Sequence, residues 1–134
     1  MAEPRRSVST GTKYEFQFGY SRAVRVNDHI RVAGTAGLDE DGQVVSDDVV
    51  EQMRRALDIV RKAIEELGGG IDDVIMTRIF VSDRRNIESV AVVHGEFFRE
   101  VAPATTIVCV DFVDPRIQVE LEAEAVLGAK KETV

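Results

Sequence analysis

The chain has 134 residues, 31% of them charged and 44% hydrophobic, and its formal net charge is −7 at pH 7. This length suits a single domain that buries about two-thirds of the surface its unfolded chain exposes. No apolar run has the length of a signal peptide or a membrane span, so we expect a cytoplasmic protein without membrane contact. The acidic balance argues against a nucleic acid partner, and one cysteine excludes an internal disulfide.

A polar segment opens the chain, and a β-hairpin is predicted after it. Residues 1–12 are rich in Ser and Thr, and we expect them to be loosely ordered. Polar and apolar residues then alternate over residues 23–26 and 29–33, on either side of Asn27-Asp28. Because Asn and Asp tolerate positive φ, this pattern predicts a two-residue hairpin. Residues 38–42 are predicted to be a turn, since they lack the spacing and distal Glu of a calcium loop.

An amphipathic helix is the most strongly marked element. Apolar residues recur at steps of three and four from Val49 to Leu67. Ser46 and Asp47 precede the helix and are suited to its N-cap. The glycine triplet at 68–70 follows the helix and predicts its C-terminal end, whereas a phosphate-binding loop would precede a helix.

Strands and a second helix are predicted in the rest of the chain. β-Branched residues predict a strand over 74–81, and an apolar stripe predicts a helix from Ile87 to Phe98. Two further strands, over residues 105–113 and 117–127, are separated by Asp114-Pro115. The order ββαβαββ predicts an α+β fold in which two helices cover one face of a single sheet.

The two last strands indicate what the other sheet face does. In the final strand, apolar residues alternate with Gln118, Glu120, Glu122 and Glu124, so one face belongs to the core. The preceding strand carries apolar residues on both faces. A face that mixes such residues with Glu is typical of a subunit interface, and we infer a homo-oligomer.

Few residues offer chemistry of their own. Cys109 lies between Val108 and Val110 in the middle of a predicted strand, which favours a packing role over a nucleophile. His29 and His94 have no ligand at metal-binding spacing, and His94 is predicted to be a partly buried helix residue. Glu120 is either a partly desolvated carboxylate that positions water or one member of a solvated acidic row, and spacing alone favours the row.

Several ordered blocks resemble one known family from about Gly19 to Leu127. They are residues 19–24 (GYSRAV), 32–35 (VAGT), 52–67, 72–74 (DDV), 77–81 (TRIFV), 95–98 (GEFF), 103–106 (PATT) and 119–123 (VELEA). On this resemblance the chain is identified as a member of the reactive-intermediate deaminase family (RidA, also called YjgF-like and often labelled endoribonuclease L-PSP or translation inhibitor).

The resemblance implies a chorismate-mutase-like fold in a homotrimer with ligand clefts between subunits. It places a single domain at residues 19–128, after a lead-in at 1–18 and before a tail at 129–134. Well-understood members hydrolyse enamines or imines such as 2-aminoacrylate to 2-keto acids and ammonia, without a metal or organic cofactor. The resemblance therefore implies a small-molecule ligand.

Three residues match the family's pocket. Glu120 stands at the glutamate that orients water and is the expected catalytic residue. Tyr20 stands at the tyrosine of the first block, and Gly34 at the glycine of the second strand. These residues imply that the pocket is retained in part.

Other pocket positions depart from the family pattern. Thr105 stands where an arginine binds the substrate carboxylate, Ala33 where a serine is common, and Ala91 where an asparagine is expected. Thr105 and Thr106 are suited to hydrogen bonds with a neutral ligand. Alternatively, one of Arg22, Arg31 and Arg78 replaces the missing arginine.

Three functions stay open at this point. One is a deaminase-type hydrolase with altered substrate choice, and another is a metabolite-binding or regulatory trimer without turnover. A third is a ribonuclease or translation inhibitor, which the acidic charge and the absence of tryptophan make the weakest.

Overall fold

The structure is a computed structural model that describes residues 3–129. In that range a six-stranded sheet has the order β1-β2-β3-β6-β4-β5, and β4 and β5 are its parallel pair. The elements are β1 (Arg6–Val8), α1 (Lys13–Phe18), β2 (Ala23–Val26), β3 (His29–Ala36), α2 (Val49–Glu66), β4 (Val74–Val81), α3 (Ile87–Phe98), β5 (Ala104–Cys109) and β6 (Val119–Val126). The predicted α+β fold is confirmed.

The predicted hairpin and its continuation shape one side of the sheet. β2 and β3 pair antiparallel, and Asn27 at their turn has a φ of 51°. β3 then pairs with β6, but its register shifts between Val32 and Thr35. This bulge leaves Ala33 and Gly34 out of the regular pairing and re-aims the strand beside β6.

The core lies between the sheet and the two long helices. α2 packs on β3 and β6 and against α3. Its buried residues include Met53, Leu57 and Ile64, which meet the alternate, buried residues of β6 such as Leu121. The apolar residues of α2, spaced by three and four, and those of β6, spaced by two, therefore pack into the same core, as the sequence predicts.

The helix cap differs from the prediction by one or two residues. The N-cap of α2 is Asp48, whose carboxylate accepts a hydrogen bond from the Val50 N–H at 2.8 Å. Ser46 instead accepts from the Asp48 N–H at 3.0 Å, one step earlier. At the other end Gly68 has a φ of +91°, which glycine adopts easily, and the helix stops there.

The opening segment is more ordered than predicted. Residues 6–8 form β1, which pairs with β2, and α1 follows within the expected lead-in. Pairing with β2 holds β1, and Glu15 organises the turn after it: this side chain is only 3% exposed and accepts hydrogen bonds from the hydroxyls of Ser9, Thr10 and Thr12. Residues 1–2 and almost all of the expected tail, 130–134, lie outside the described residues.

The strand that contains the cysteine is shorter and more exposed than predicted. β5 ends at Cys109 instead of residue 113, and β6 begins at Val119 instead of residue 117. β5 is the edge strand of the sheet, with β4 on one side only. Cys109 is therefore exposed in this chain, and the prediction of a packing cysteine is wrong.

Candidate functional site

An acidic row crosses the sheet face that the long helices leave uncovered. Glu120, Glu122 and Glu124 alternate with buried residues along β6, and all three are partly buried. Glu122 pairs with Arg78, and Glu124 lies 2.5 Å from Nε2 of His29. The three carboxylates are therefore partly rather than fully solvated, and two of them are paired.

Glu120 differs from the other two carboxylates in its partners. Among residues 3–129 its side chain has neither a hydrogen bond nor an ion pair. Burial raises the pKa of Glu120, and the positive charge of Arg22 opposes that rise in part. A carboxylate of this kind exchanges protons nearer to neutral pH than a solvated one, as a general base requires.

The bulge in β3 brings Gly34 against this carboxylate. A Cβ atom at position 34 would lie 3.0 Å from Glu120 Oε1, closer than most real contacts. The absence of a side chain at Gly34 therefore leaves room for the carboxylate. Ala33, its neighbour in the bulge, donates its N–H to the carbonyl of Arg22 at 2.9 Å and so joins the bulge to the start of β2.

Two side chains from the segment before β2 complete this group. Cζ of Arg22 lies 5.7 Å from the centroid of the Tyr20 ring, and Tyr20 is partly exposed. Nε of Arg22 is buried and has no hydrogen-bond partner in the described chain. The structure thus places Gly34 beside Glu120 and Tyr20 beside Arg22, whose charge acts on Glu120 and which the sequence indicated only as one of three arginines.

The other predicted site residues form a second group. Thr105 Oγ1 lies 2.8 Å from Thr77 Oγ1, which lies 2.8 Å from Nε2 of His94. Thr77 is in register with the buried Ala123, so this chain of hydrogen bonds is on the helix-covered face. Ala91 is one helical turn before His94 in α3. Thr105 and Glu120 therefore lie on opposite faces of the sheet.

His94 has the position that the sequence predicts for it. It is partly buried in α3, as predicted, and its ring packs on Phe98 with centroids 4.7 Å apart. Burial lowers the pKa of His94, which favours the neutral ring. Its hydrogen bond to Thr77 was not predicted, because it joins residues 17 positions apart on two different elements.

The remaining candidates face the uncovered side without joining Glu120. Thr106 is in register with Arg78, which is itself paired with Glu122. Arg31 lines a shallow depression of about 270 Å³ together with Glu122 and Glu124. Within residues 3–129 no three His, Cys, Asp or Glu side chains are grouped so that they could hold a metal ion.

Known proteins resemble this chain along nearly all of its length. The family model described as Endoribonuclease L-PSP matches residues 12–127. An uncharacterized protein of Streptomyces coelicolor is 38% identical over 129 residues, covering 96% of each chain. A RutC family protein of Pyrococcus abyssi is 32% identical over 107 residues, covering 79% of this chain and 84% of its own.

A solved structure agrees with these matches. The crystal structure of a YjgF/YER057c/UK114 family member from Mycobacterium tuberculosis has a TM-score of 0.85 and 37% identity, covering 92% of this chain and 100% of that one. The fold is thus that of the YjgF-type α+β proteins. The chain belongs to the Endoribonuclease L-PSP family, the YjgF/RidA group that its sequence blocks resemble.

One observation bears on membranes. None of the helices in residues 3–129 combines the length and the apolar character that crossing a bilayer requires.

Proposed function

We propose that this chain is a small-molecule hydrolase that deaminates enamines or imines, with a substrate choice that differs from the usual one of its family. The observation that carries the proposal is Glu120, a partly buried carboxylate with a raised pKa and no partner among the described residues. Gly34 leaves space beside it, and Tyr20 and Arg22 border the same region. No metal or organic cofactor is part of the proposed reaction.

The proposed chemistry needs only water and one carboxylate. Glu120 accepts a proton from water as the water oxygen bonds to the imine carbon, and the C=N π electrons move onto the nitrogen, which takes that proton from Glu120. The nitrogen of the resulting carbinolamine takes a second proton, which Glu120 passes from the hydroxyl group, and the C–N single bond breaks to release ammonia. The hydroxyl proton of the tetrahedral intermediate is lost as the C=O bond forms, so one water and one imine give one ketone and one ammonia. An enamine first takes a proton on carbon to become the imine.

The proposed cleft lies between subunits of a homotrimer. Glu120 with Gly34 and Thr105 with Ala91 are on opposite faces of one sheet, so a single copy cannot bring both groups to one ligand. The uncovered face also carries the apolar side chains of Phe80 and Val108, in register with Glu120. A second copy on this face would bury them and supply the other wall.

The departure at Thr105 favours a second candidate function. Without an arginine at this position, the cleft would not align a ligand with the attacking water. It would still bind a metabolite, and the protein would act as a regulatory trimer. RNA cleavage is a third candidate through the family label, but a net charge of −7 opposes it because phosphates repel an acidic surface.

A trapping assay distinguishes these functions. An amino-acid oxidase generates a panel of 2-imino acids, semicarbazide competes for them, and the purified protein is added at increasing concentration. A hydrolase lowers semicarbazone formation in proportion to protein and releases ammonia. Saturable binding of the same compounds without any loss of trapped product would establish the binding protein and contradict the hydrolase.

A further inference from the structure

One arginine beside the candidate site has an unused hydrogen-bond donor. Nε of Arg22 is buried and unpartnered, and within residues 3–129 no hydrogen bond or ion pair involves its guanidinium. Arg78, by contrast, is paired with Glu122. A buried donor without an acceptor costs free energy, and such groups in native proteins often mark a place where a ligand or water binds.

Contacts hold both the main chain and the side chain of Arg22 in place. The main chain of Arg22 donates its N–H to Val8 O at 2.8 Å and accepts from the Ala33 N–H at 2.9 Å. Its guanidinium packs on the Tyr20 ring, with Cζ 5.7 Å from the ring centroid. Arg22 is thus held by its backbone hydrogen bonds and by the Tyr20 ring, and a side chain that is already ordered lowers the entropic cost of binding.

Arg22 also lies near Glu120 without being neutralised by it. Its charge acts on the Glu120 carboxylate, yet no ion pair within 4.0 Å joins the two side chains in the described chain. A guanidinium presents Nε–H and Nη–H as a planar fork, and a carboxylate is the group that accepts both bonds at once.

We propose that Arg22 is the carboxylate anchor of this cleft, so that its ligand is a small acid. The acid binds with its carboxylate on Nε and Nη of Arg22 and its reactive carbon toward Glu120. This inference rests on the proposed function for the identity of the cleft. It places the anchor before β2, on the same sheet face as Glu120, so the missing arginine at Thr105 does not abolish acid recognition.

Binding of stable acids tests the anchor without turnover. Pyruvate and its neutral amide, pyruvamide, are titrated by ligand-observed NMR into the wild type and into Arg22→Gln, Arg22→Lys and Arg78→Gln. We expect the wild type to prefer pyruvate, and Arg22→Gln to bind it about ten- to a hundredfold more weakly. Arg22→Lys keeps the charge but loses the fork and should fall between them, while Arg78→Gln should bind like the wild type.

Two results would overturn the anchor: a wild type that does not prefer pyruvate to its amide, or an Arg22→Gln variant that is still folded by circular dichroism and binds pyruvate as the wild type does. The trapping assay is read separately. If the wild type shows no hydrolysis but its pyruvate binding depends on Arg22, the hydrolase fails and the anchor stands. If hydrolysis is undiminished in Arg22→Gln, the anchor fails and the hydrolase stands.

Discussion

At the scale of single residues, the space around the Glu120 carboxylate is set by a glycine. Gly34 has no positive φ, so its backbone accepts any residue, but a Cβ there would lie 3.0 Å from Glu120 Oε1. We expect Gly34→Ala to displace the carboxylate and to lower kcat/KM for imine hydrolysis about ten- to a hundredfold, with little change in Tm. Gly70→Ala is the matched control, since a Cβ at Gly70 meets open space. Full activity in Gly34→Ala would contradict this account of the site.

The same residues show what the sequence reveals of a site and what it does not. The sequence blocks indicate Glu120, Tyr20 and Gly34 as candidate site residues through their resemblance to the family's motifs. The sequence does not indicate that Glu120 is unpaired, because pairing depends on which side chains from β3 and β4 reach each carboxylate of β6. The free Nε of Arg22 is likewise a property of packing, and an arginine in a sequence gives no sign of whether it is paired.

At the scale of elements, one buried carboxylate holds together the turn between β1 and α1. Glu15 accepts the Thr10 N–H at 3.1 Å in addition to three hydroxyl groups. We expect Glu15→Gln to lower the free energy of unfolding by about 1–3 kcal/mol, because charge-assisted bonds are replaced by weaker ones. The rate of amide hydrogen exchange in β1 should rise as the stability falls. Glu66→Gln, at an exposed position, serves as the control. Equal stability of the two variants in urea would refute this stabilising role of Glu15.

The pKa of Glu15 gives this contribution a pH dependence of definite sign. Burial alone would raise the pKa, but the hydrogen bonds from Thr10 and Ser9 outweigh it, and the pKa lies below the usual 4.5. The stabilisation is therefore complete above pH 4.5 and is lost as the pH falls through the folded-state pKa. The stability difference between wild type and Glu15→Gln should shrink in that acidic range.

Elements with a strong hydrophobic period were predicted well, and those without one were not. In α2 and β6, apolar residues recur at the spacing of a helix and of a strand, and β4 is rich in β-branched residues, so their sequences suffice. β1 has three residues and is ordered by its pairing with β2, which no local pattern reveals. Cys109 was misplaced for a related reason: a strand's composition does not tell whether it is an edge strand.

At the scale of the whole molecule, the proposed cleft between subunits requires a homotrimer. We expect the wild type to sediment at three times its 14.8 kDa chain mass. Phe80→Arg places a charge on the uncovered face, at the position paired with Glu120, and should yield a folded monomer. Val92→Arg, at a position 54% exposed on α3, should leave the assembly intact. A wild type that sediments as one chain would contradict the inter-subunit cleft.

The account as a whole depends on Glu120 as the group that activates water. The most direct measurement compares the wild type, Glu120→Gln and Glu122→Gln for protein-dependent ammonia release from 2-imino acids. General-base catalysis predicts that Glu120→Gln loses about a hundredfold or more of the rate, whereas Glu122→Gln, changed at a carboxylate already paired with Arg78, stays near the wild type. Equal rates in the wild type and Glu120→Gln would show that this carboxylate does not carry the reaction.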